Sequence, residues 1–291
     1  MPSLLSNRLA KRVLRPAFTL VEQRLERATN ALQADLDALH HEVADLRRQS
    51  YGLGLLLDHA GRDAHRMPTA TQLDTLVREV CTATGASADH ARRDLTVAYR
   101  TVVALEALGV GRIAGSTSDV CGKLATVPLL APPNEDVLEI GTRHGLFATA
   151  LLRMLHRAGS EPRLTIVDPL AGTEPLVRED VVRANLALCG SRSGAQARIQ
   201  QGASGEPEIR SAVADRRYGV IVIAGDPSVR TVLADLEWAE ELATEGTVVA
   251  LDGHADDTRP GVSEALAKHL ANGSRLKLAG QVAGTAFLRA T

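Results

Sequence analysis

Residues 137–145 read Val137-Leu138-Glu139-Ile140-Gly141-Thr142-Arg143-His144-Gly145, and this stretch decides the fold. A short aliphatic run carrying one acid gives way to a loop bounded by glycines. A segment with helical spacing then runs from Leu146 to Leu155. Strand, tight turn and helix in that order open the α/β sheets that hold nucleotide-like ligands. Gly141 and Gly145 let the backbone turn sharply and approach a ligand where a Cβ would obstruct it. The helix N-terminus offers free N–H groups and partial positive charge to an anionic group. An ordinary strand-to-helix turn also tolerates two glycines, so the decision falls to the flanking chain.

Downstream, β-branched runs alternate with helical patterns, which predicts a mostly parallel sheet covered on both faces. Strands are expected at Val137–Ile140, Leu164–Val167, Ala197–Gln200, Gly219–Ile223, Thr247–Leu251, Arg275–Ala279 and Thr285–Leu288. Helices are expected at Leu146–Ala158, Leu176–Leu188, Pro207–Val213, Val229–Leu242 and Gly261–Asn272. Residues 280–284 are too short a link for a crossover, so the last two strands pair antiparallel. Ligands gather at the carboxyl ends of such strands, near the switch in strand order. Those ends carry Glu139, Gly141, Thr142, Arg143 and Gly145, then Asp168, then Gly202, Ala203 and Ser204. Ala224, Gly225 and Asp226 follow the fourth strand, and Asp252, Gly253 and His254 the fifth. Asp168 suits the two hydroxyls of a ribose; before Pro169 it equally suits a turn cap.

Upstream the chain is helical. Leu4, Lys11, Phe18, Leu25, Leu32, Leu39, Leu46 and Leu53 fall seven apart; Leu14, Val21 and Ala28 form a second seam that Leu36 and Val43 continue one residue out of step. A seven-residue repeat predicts a coiled coil, so residues 1–54 are expected to be a self-association arm. Its first 20 residues carry four basic and no acidic side chains, and residues 21–46 six acidic and two basic. That basic start suits a membrane surface or nucleic acid, but a solvated helix face is the favoured reading. Residues 55–117 form a helical region, with apolar patterns at Leu73, Leu76, Val77 and Val80 and at Leu95, Ala98, Val102, Leu105 and Leu108. Pro132-Pro133-Asn134 marks the joint before the first strand of an α/β domain over 118–291.

Composition narrows the function. Aromatic residues are 2% of the 291, and the net charge is −2, so stacking platforms and a basic footprint for nucleic acid are both missing. Cys81, Cys121 and Cys189 make no Cys-x-x-Cys pair and read as reduced thiols of a cytoplasmic protein. No run of 18 apolar residues occurs, so no transmembrane segment is expected.

Four segments together resemble a class I S-adenosylmethionine-dependent methyltransferase, of the bacterial small-molecule O-methyltransferase-like kind. The first is Glu139–Gly145, similar to the Glu-Ile-Gly-x-x-x-Gly of that family. The second is Ile223-Ala224-Gly225-Asp226-Pro227 followed by Val232-Leu233-Ala234-Asp235-Leu236. The third runs from Gly246 to Asp252, and the fourth is Pro260-Gly261-Val262. The resemblance covers about residues 118–291. It implies a Rossmann-like methyltransferase sheet with a terminal antiparallel strand pair, preceded by the helical, coiled-coil region.

It also implies a cofactor, S-adenosylmethionine, and a small-molecule acceptor. Glu139, Gly141, Thr142 and Gly145 would approach its methionine part, and Arg143, where glycine is common, would pair with its carboxylate or face solvent. Asp168 would hold the ribose. Ala203 and Ser204 would lie near adenine, and Ala224, Gly225 and Asp226 near the reacting methyl. Metal-dependent relatives carry an Asp where Ala224 stands and a carboxylate or amide at Gly253; with only Asp252 kept, no metal is expected, although Asp226 and His254 stand close by. For a hydroxyl acceptor a base is required, and Asp226, Asp252 and His254 are the catalytic candidates, with His144 a fourth. Residues 111–130 are expected to roof the acceptor, with 115–123 a polar, flexible run. Two other readings remain open: a catalytically degenerate fold acting as a coiled-coil interaction protein, and a nicotinamide-dependent reductase. Against the reductase, the loop is not Gly-x-Gly-x-x-Gly and no Tyr-x-x-x-Lys pair occurs.

Overall fold

The computed structural model of the chain describes residues 8–61, 64–171 and 177–291. Leu4 of the seven-residue repeat and the expected helix start at Leu176 lie outside the described residues. The chain divides into two units at Leu55/Leu56.

Helix α1 (Arg8–Ala60) supplies the first unit. Its apolar stripe faces solvent: Leu25 and Leu32 are each 69% exposed and Leu39 57%.

The second unit begins with three capped helices. Thr69 and Gln72 form a capping box at α2 (Ala70–Thr84), Ser87 caps α3 (Ala88–Leu108), and Ser116 with Asp119 forms a second box at α4 (Thr117–Leu129). Such caps are worth about 1 kcal/mol each. Helix α4 corrects one expectation. The run 115–123 is no flexible lid but a cap and two helical turns, buried from Val120 to Val127. Its polarity belongs to the cap, where Ser and Asp satisfy otherwise free N–H groups.

The sheet follows. Its strands are β1 (Asp136–Ile140), β2 (Arg163–Asp168), β3 (Arg198–Gln201), β4 (Tyr218–Ile223), β5 (Ala243–Leu251), β6 (Leu276–Val282) and β7 (Thr285–Ala290). The interleaved helices are α5 (Leu146–Arg157), α6 (Glu179–Ala187), α7 (Arg192–Ala195), α8 (Pro207–Val213), α9 (Val229–Leu242) and α10 (Pro260–Ala271). Strand order is β3-β2-β1-β4-β5-β7-β6, with β7 antiparallel to both neighbours and the other pairs parallel. The chain therefore steps outward from β1 to β3 and returns to β4 on the other side of β1. The switch point lies between β1 and β4, where a ligand crevice opens at the carboxyl ends.

Two strands run longer than the β-branched pattern indicates. Strand β5 leaves α9 directly at Ala243, and its register against β4 shifts between Tyr218 and Val220. Strand β6 extends to Val282 through an irregularity beside Gly280, where a Cβ would lie 2.7 Å from that of Ala83 on α2. The core on one face joins Ile221, Leu236, Trp238, Val249 and Leu288, which anchors β4 and β5 on that face.

Candidate active site

The switch point is built by a close backbone crossing. The Ala224 N–H donates to Ile140 O at 2.8 Å, and the Gly141 N–H to Val167 O at 2.9 Å, which ties β1 to both neighbours at its end. Gly141 then turns at φ +85°, and a Cβ there would stand 2.7 Å from the Ala224 carbonyl and the Gly225 Cα. No side chain fits that position. Arg143 adopts φ +57° without being glycine, a strained conformation of the kind kept at ligand sites. Gly145 (φ +76°) caps α5, and a Cβ there would meet Val182 at 2.9 Å.

Asp168 stabilises this loop from the end of β2. Its Oδ2 accepts from the Thr142 N–H at 2.7 Å and the Arg143 N–H at 3.1 Å, and its Oδ1 from the Leu170 N–H at 2.7 Å. The cap role and a ligand role therefore share one carboxylate. An ionised carboxylate offers about four acceptor sites, so Oδ1 retains one.

Two cavities meet at Gly141, Pro169 and Gly225. The first, about 470 Å³, is lined by Glu139, Arg143, Phe147, Asp168, Asp252 and Lys123, among others. The second, about 510 Å³, includes Ala203, Ser204, Arg210, Asp226 and Asp235 in its walls.

Residues 138–253 match a family described as a methyltransferase domain. No curated protein matches the sequence. Among solved structures, cofactor-bound Rv0187 from MTB is 21% identical with a TM-score of 0.48, over 77% of this chain and 99% of that one. The Bacillus cereus O-methyltransferase in complex with SAH is 16% identical with a TM-score of 0.47, over 77% and 93%. TomG from Streptomyces achromogenes, an O-methyltransferase in complex with SAM, is 18% identical with a TM-score of 0.45, over 68% and 89%.

Within the matched span Glu139 lies in β1, 1% exposed, with its Oε2 unpartnered. Burial pushes its carboxyl up to about 8; the Asp168 charge adds to this and the Lys123 ammonium opposes it. Lys123 is itself 3% exposed. Its Nζ donates to Asp252 Oδ1 and sits 4.8 Å from the centroid of the Phe147 ring. Arg259 stands 3.6 Å from Asp252 Oδ2. Asp252 thus lines the first cavity between two cations.

The other base candidates are placed differently. Asp226 lines the second cavity, but its carboxylate accepts from the Ser228 N–H, the Ser228 hydroxyl and the Thr231 hydroxyl, which lowers its pKa. His254 is half-buried, its pKa lowered by burial, and it lines neither cavity. His144 is buried against Gly111, with Nδ1 3.4 Å from Arg112 O. Among the described residues, no three His, Cys, Asp or Glu are grouped to hold a metal ion.

Residues 112–114 also line the first cavity, and a buried pair fixes them. Glu106 Oε1 accepts from the Ile113 N–H at 3.1 Å and lies 2.8 Å from His65 Nδ1, while His65 Nε2 is 3.1 Å from Gly115 O.

Phe147, Arg259 and Asp235 escaped the sequence reading as site residues, and Lys123 entered it only as the end of the expected polar run. Two of the four leave a signal. Lys123 falls on the apolar stripe of Val120, Leu124 and Val127, and Asp235 on that of Val232, Leu236 and Ala239. A charge on a buried helix face is rare unless it is paired or used.

Proposed function

We propose that this domain transfers the methyl group of S-adenosylmethionine to a hydroxyl of a small molecule. The observation that carries the reading is the pair of cavities joined across Gly141, at a crossing that excludes any Cβ. Their volumes fall in the range of about 300–1,000 Å³ usual for small-ligand sites. When bound, the cofactor supplies an electrophilic methyl on a sulfonium sulfur.

The residues present fit that group. Asp168 Oδ1 has capacity for a ribose hydroxyl. Glu139 offers an unpartnered oxygen to an ammonium, and Arg143 a guanidinium to a carboxylate. Ala203 and Ser204 bound the second cavity, where the base would lie, with Ala224 and Gly225 between the two. The acceptor then occupies the first cavity toward Phe147 and Asp252. Of the three base candidates Asp252 alone lines that cavity, and it takes the hydroxyl proton as the carbon–oxygen bond forms. Holding the oxygen in line with the methyl supplies the rest of the rate.

Residues 1–54 are proposed as the self-association arm, since the stripe of Leu25, Leu32, Leu39 and Leu46 is exposed at seven-residue spacing. Sedimentation of wild type and Leu32→Asp/Leu39→Asp tests this: the variant should lose its oligomer, and an unchanged mass would refute the arm. No helix of the described residues is long and apolar enough to cross a membrane. A cytoplasmic setting is proposed from the free thiols of Cys81, Cys121 and Cys189.

Calorimetric titration of S-adenosylhomocysteine and, separately, NADH into wild type and Asp168→Ala tests the enzyme reading. Micromolar binding of the first ligand alone, weakened roughly tenfold or more by the substitution, is expected from loss of a charge-assisted hydrogen bond. No binding of that ligand, or binding of NADH in its place, would refute the reading.

A further inference from the structure

Residues 112–114 line the first cavity, and the segment that carries them is held at its two ends by different chemistry. At one end the Asn185 side chain accepts from the Val110 N–H at 2.9 Å and donates to the Val110 carbonyl at 2.8 Å, an amide pairing without charge. At the other end stands His65, 9% exposed, against Glu106, 4% exposed. The Glu106 carboxylate accepts from the His65 N–H at 3.1 Å and the Ile113 N–H at 3.1 Å, and its Oε1 lies 2.8 Å from His65 Nδ1. The second ring nitrogen, Nε2, lies 3.1 Å from Gly115 O.

Both ring nitrogens therefore face an acceptor, a carboxylate on one side and a carbonyl on the other. A neutral imidazole has one N–H and one lone pair, so one of these contacts would set a lone pair against an oxygen. The imidazolium donates to both. Buried charge is tolerated when it is paired and hydrogen-bonded, and here each partner meets that condition for the other. Bonds from His65 and Ile113 hold the Glu106 carboxyl below its usual range against the opposing effect of burial. On α3 burial raises the Tyr99 phenol, and on α4 it pushes the Cys121 thiol up to about 12, with the Glu106 charge adding, so both stay neutral. Arg112 donates to Glu106 O and Arg66 to Gly61 O, and guanidinium groups keep their charge. Asp119 of α4 is committed to Ser116 and the Gly284 N–H. An imidazole is the group of this set whose kind changes charge near neutral pH.

We propose that His65 is a positioning residue whose doubly donating imidazolium ties Gly115 to Glu106 and so fixes the Ile113–Ala114 wall of the first cavity. Loss of the ring proton to solvent turns the bond at Gly115 O into a repulsive contact and frees that end of the segment, while Asn185 keeps the other. The contribution is present while the ring is protonated and disappears as pH rises. Resting on the reading that the first cavity takes the acceptor, the consequence is an acceptor wall that loosens on the alkaline side.

Hydrogen exchange of residues 109–118, followed by mass spectrometry from about pH 5 to 8 and corrected for intrinsic rates, tests this in the full chain without ligand. Wild-type protection should fall roughly 10-fold or more as pH rises, the worth of one charge-assisted bond. Glu106→Gln should move that step to lower pH, because the ring loses the opposite charge that favours its proton. His65→Gln should lose the step and show one level of protection throughout. Nitrogen-15 spectra of the histidine rings, wild type against His65→Gln, should assign to His65 a ring with two N–H groups at the acid end; a single N–H there overturns the proposal. Protection that is independent of pH in wild type, or lowered by the same factor at every pH in His65→Gln, marks a merely structural residue and overturns it too. A step that survives in His65→Gln belongs to His144, whose Nδ1 lies 3.4 Å from Arg112 O, and also overturns it. None of these outcomes involves cofactor binding, so the methyltransferase reading stands or falls separately, by titration of S-adenosylhomocysteine.

Discussion

The two cavities that meet at Gly141 differ in where their walls come from and in how their charges are satisfied. The second cavity is drawn entirely from residues 140–235, inside the span that matches the methyltransferase-domain family. The first takes Lys123 from α4, Arg259 from the turn before α10 and residues 112–114 from the loop after α3, all outside that span. In the first, Lys123, Asp252 and Arg259 form a chain of opposite charges. In the second, Arg210 is spent on the Ser204 and Ala234 carbonyls, and Asp226 on Ser228 and Thr231. The contrast is between a wall drawn from one stretch of chain and a wall whose charges meet only through the packing of distant segments on the sheet.

The largest effect expected from breaking this contrast is on stability in the first cavity. Asp252→Leu leaves the Lys123 ammonium buried without its counter-ion, which should cost about 3–5 kcal/mol. Pairing it with Lys123→Met should restore most of that loss. Urea unfolding of the two single variants and the double variant measures the coupling, and simple additivity would show that the pair is not one unit.

Next comes the shared wall. Gly141→Val places a branched side chain at φ +85° and 2.7 Å from the Ala224 carbonyl. Affinity for S-adenosylhomocysteine should fall at least about 100-fold, since backbone strain and overlap together exceed a few kcal/mol. Binding retained within a factor of three would mean that the crossing is not part of the site.

The smallest effect concerns the support of residues 112–114. Against the penalty of burial, bonds from His65 and Ile113 hold the Glu106 carboxyl below its usual 4.5. A carboxylate depressed in the fold stabilises above its unfolded pKa and loses that contribution as pH falls through the folded value. Glu106→Gln should therefore cost on the order of 1 kcal/mol at neutral pH. Wild type and variant should converge in melting temperature below pH 4.5. A gap that persists in acid would assign the role to packing.

The sheet was legible because each signal is local. Alternation of β-branched runs with helical spacing located the seven strands, and the five-residue link at 280–284 dictated the antiparallel end. Boundaries slipped where tertiary contact overrides propensity, as where β6 continues past Gly280 beneath α2. The glycine loop was legible for the same local reason. The contact between Lys123 and Asp252 was not, because the two are 129 positions apart and meet only through the packing of α4 on the sheet. Asp168 reads equally as a cap or a ligand group, and the structure shows its backbone bonds filling most of its acceptor sites. His254 follows a strand end in sequence yet lines neither cavity, since a residue three past β5 is already in the turn.

A crystal structure of the protein with S-adenosylhomocysteine tests the central claim most directly. The account predicts one ligand spanning both cavities across Gly141, its purine against Ala203 and Ser204 and its amino-acid end toward Glu139 and Arg143. A ligand confined to one cavity, lying in the reverse direction or bound elsewhere would contradict it.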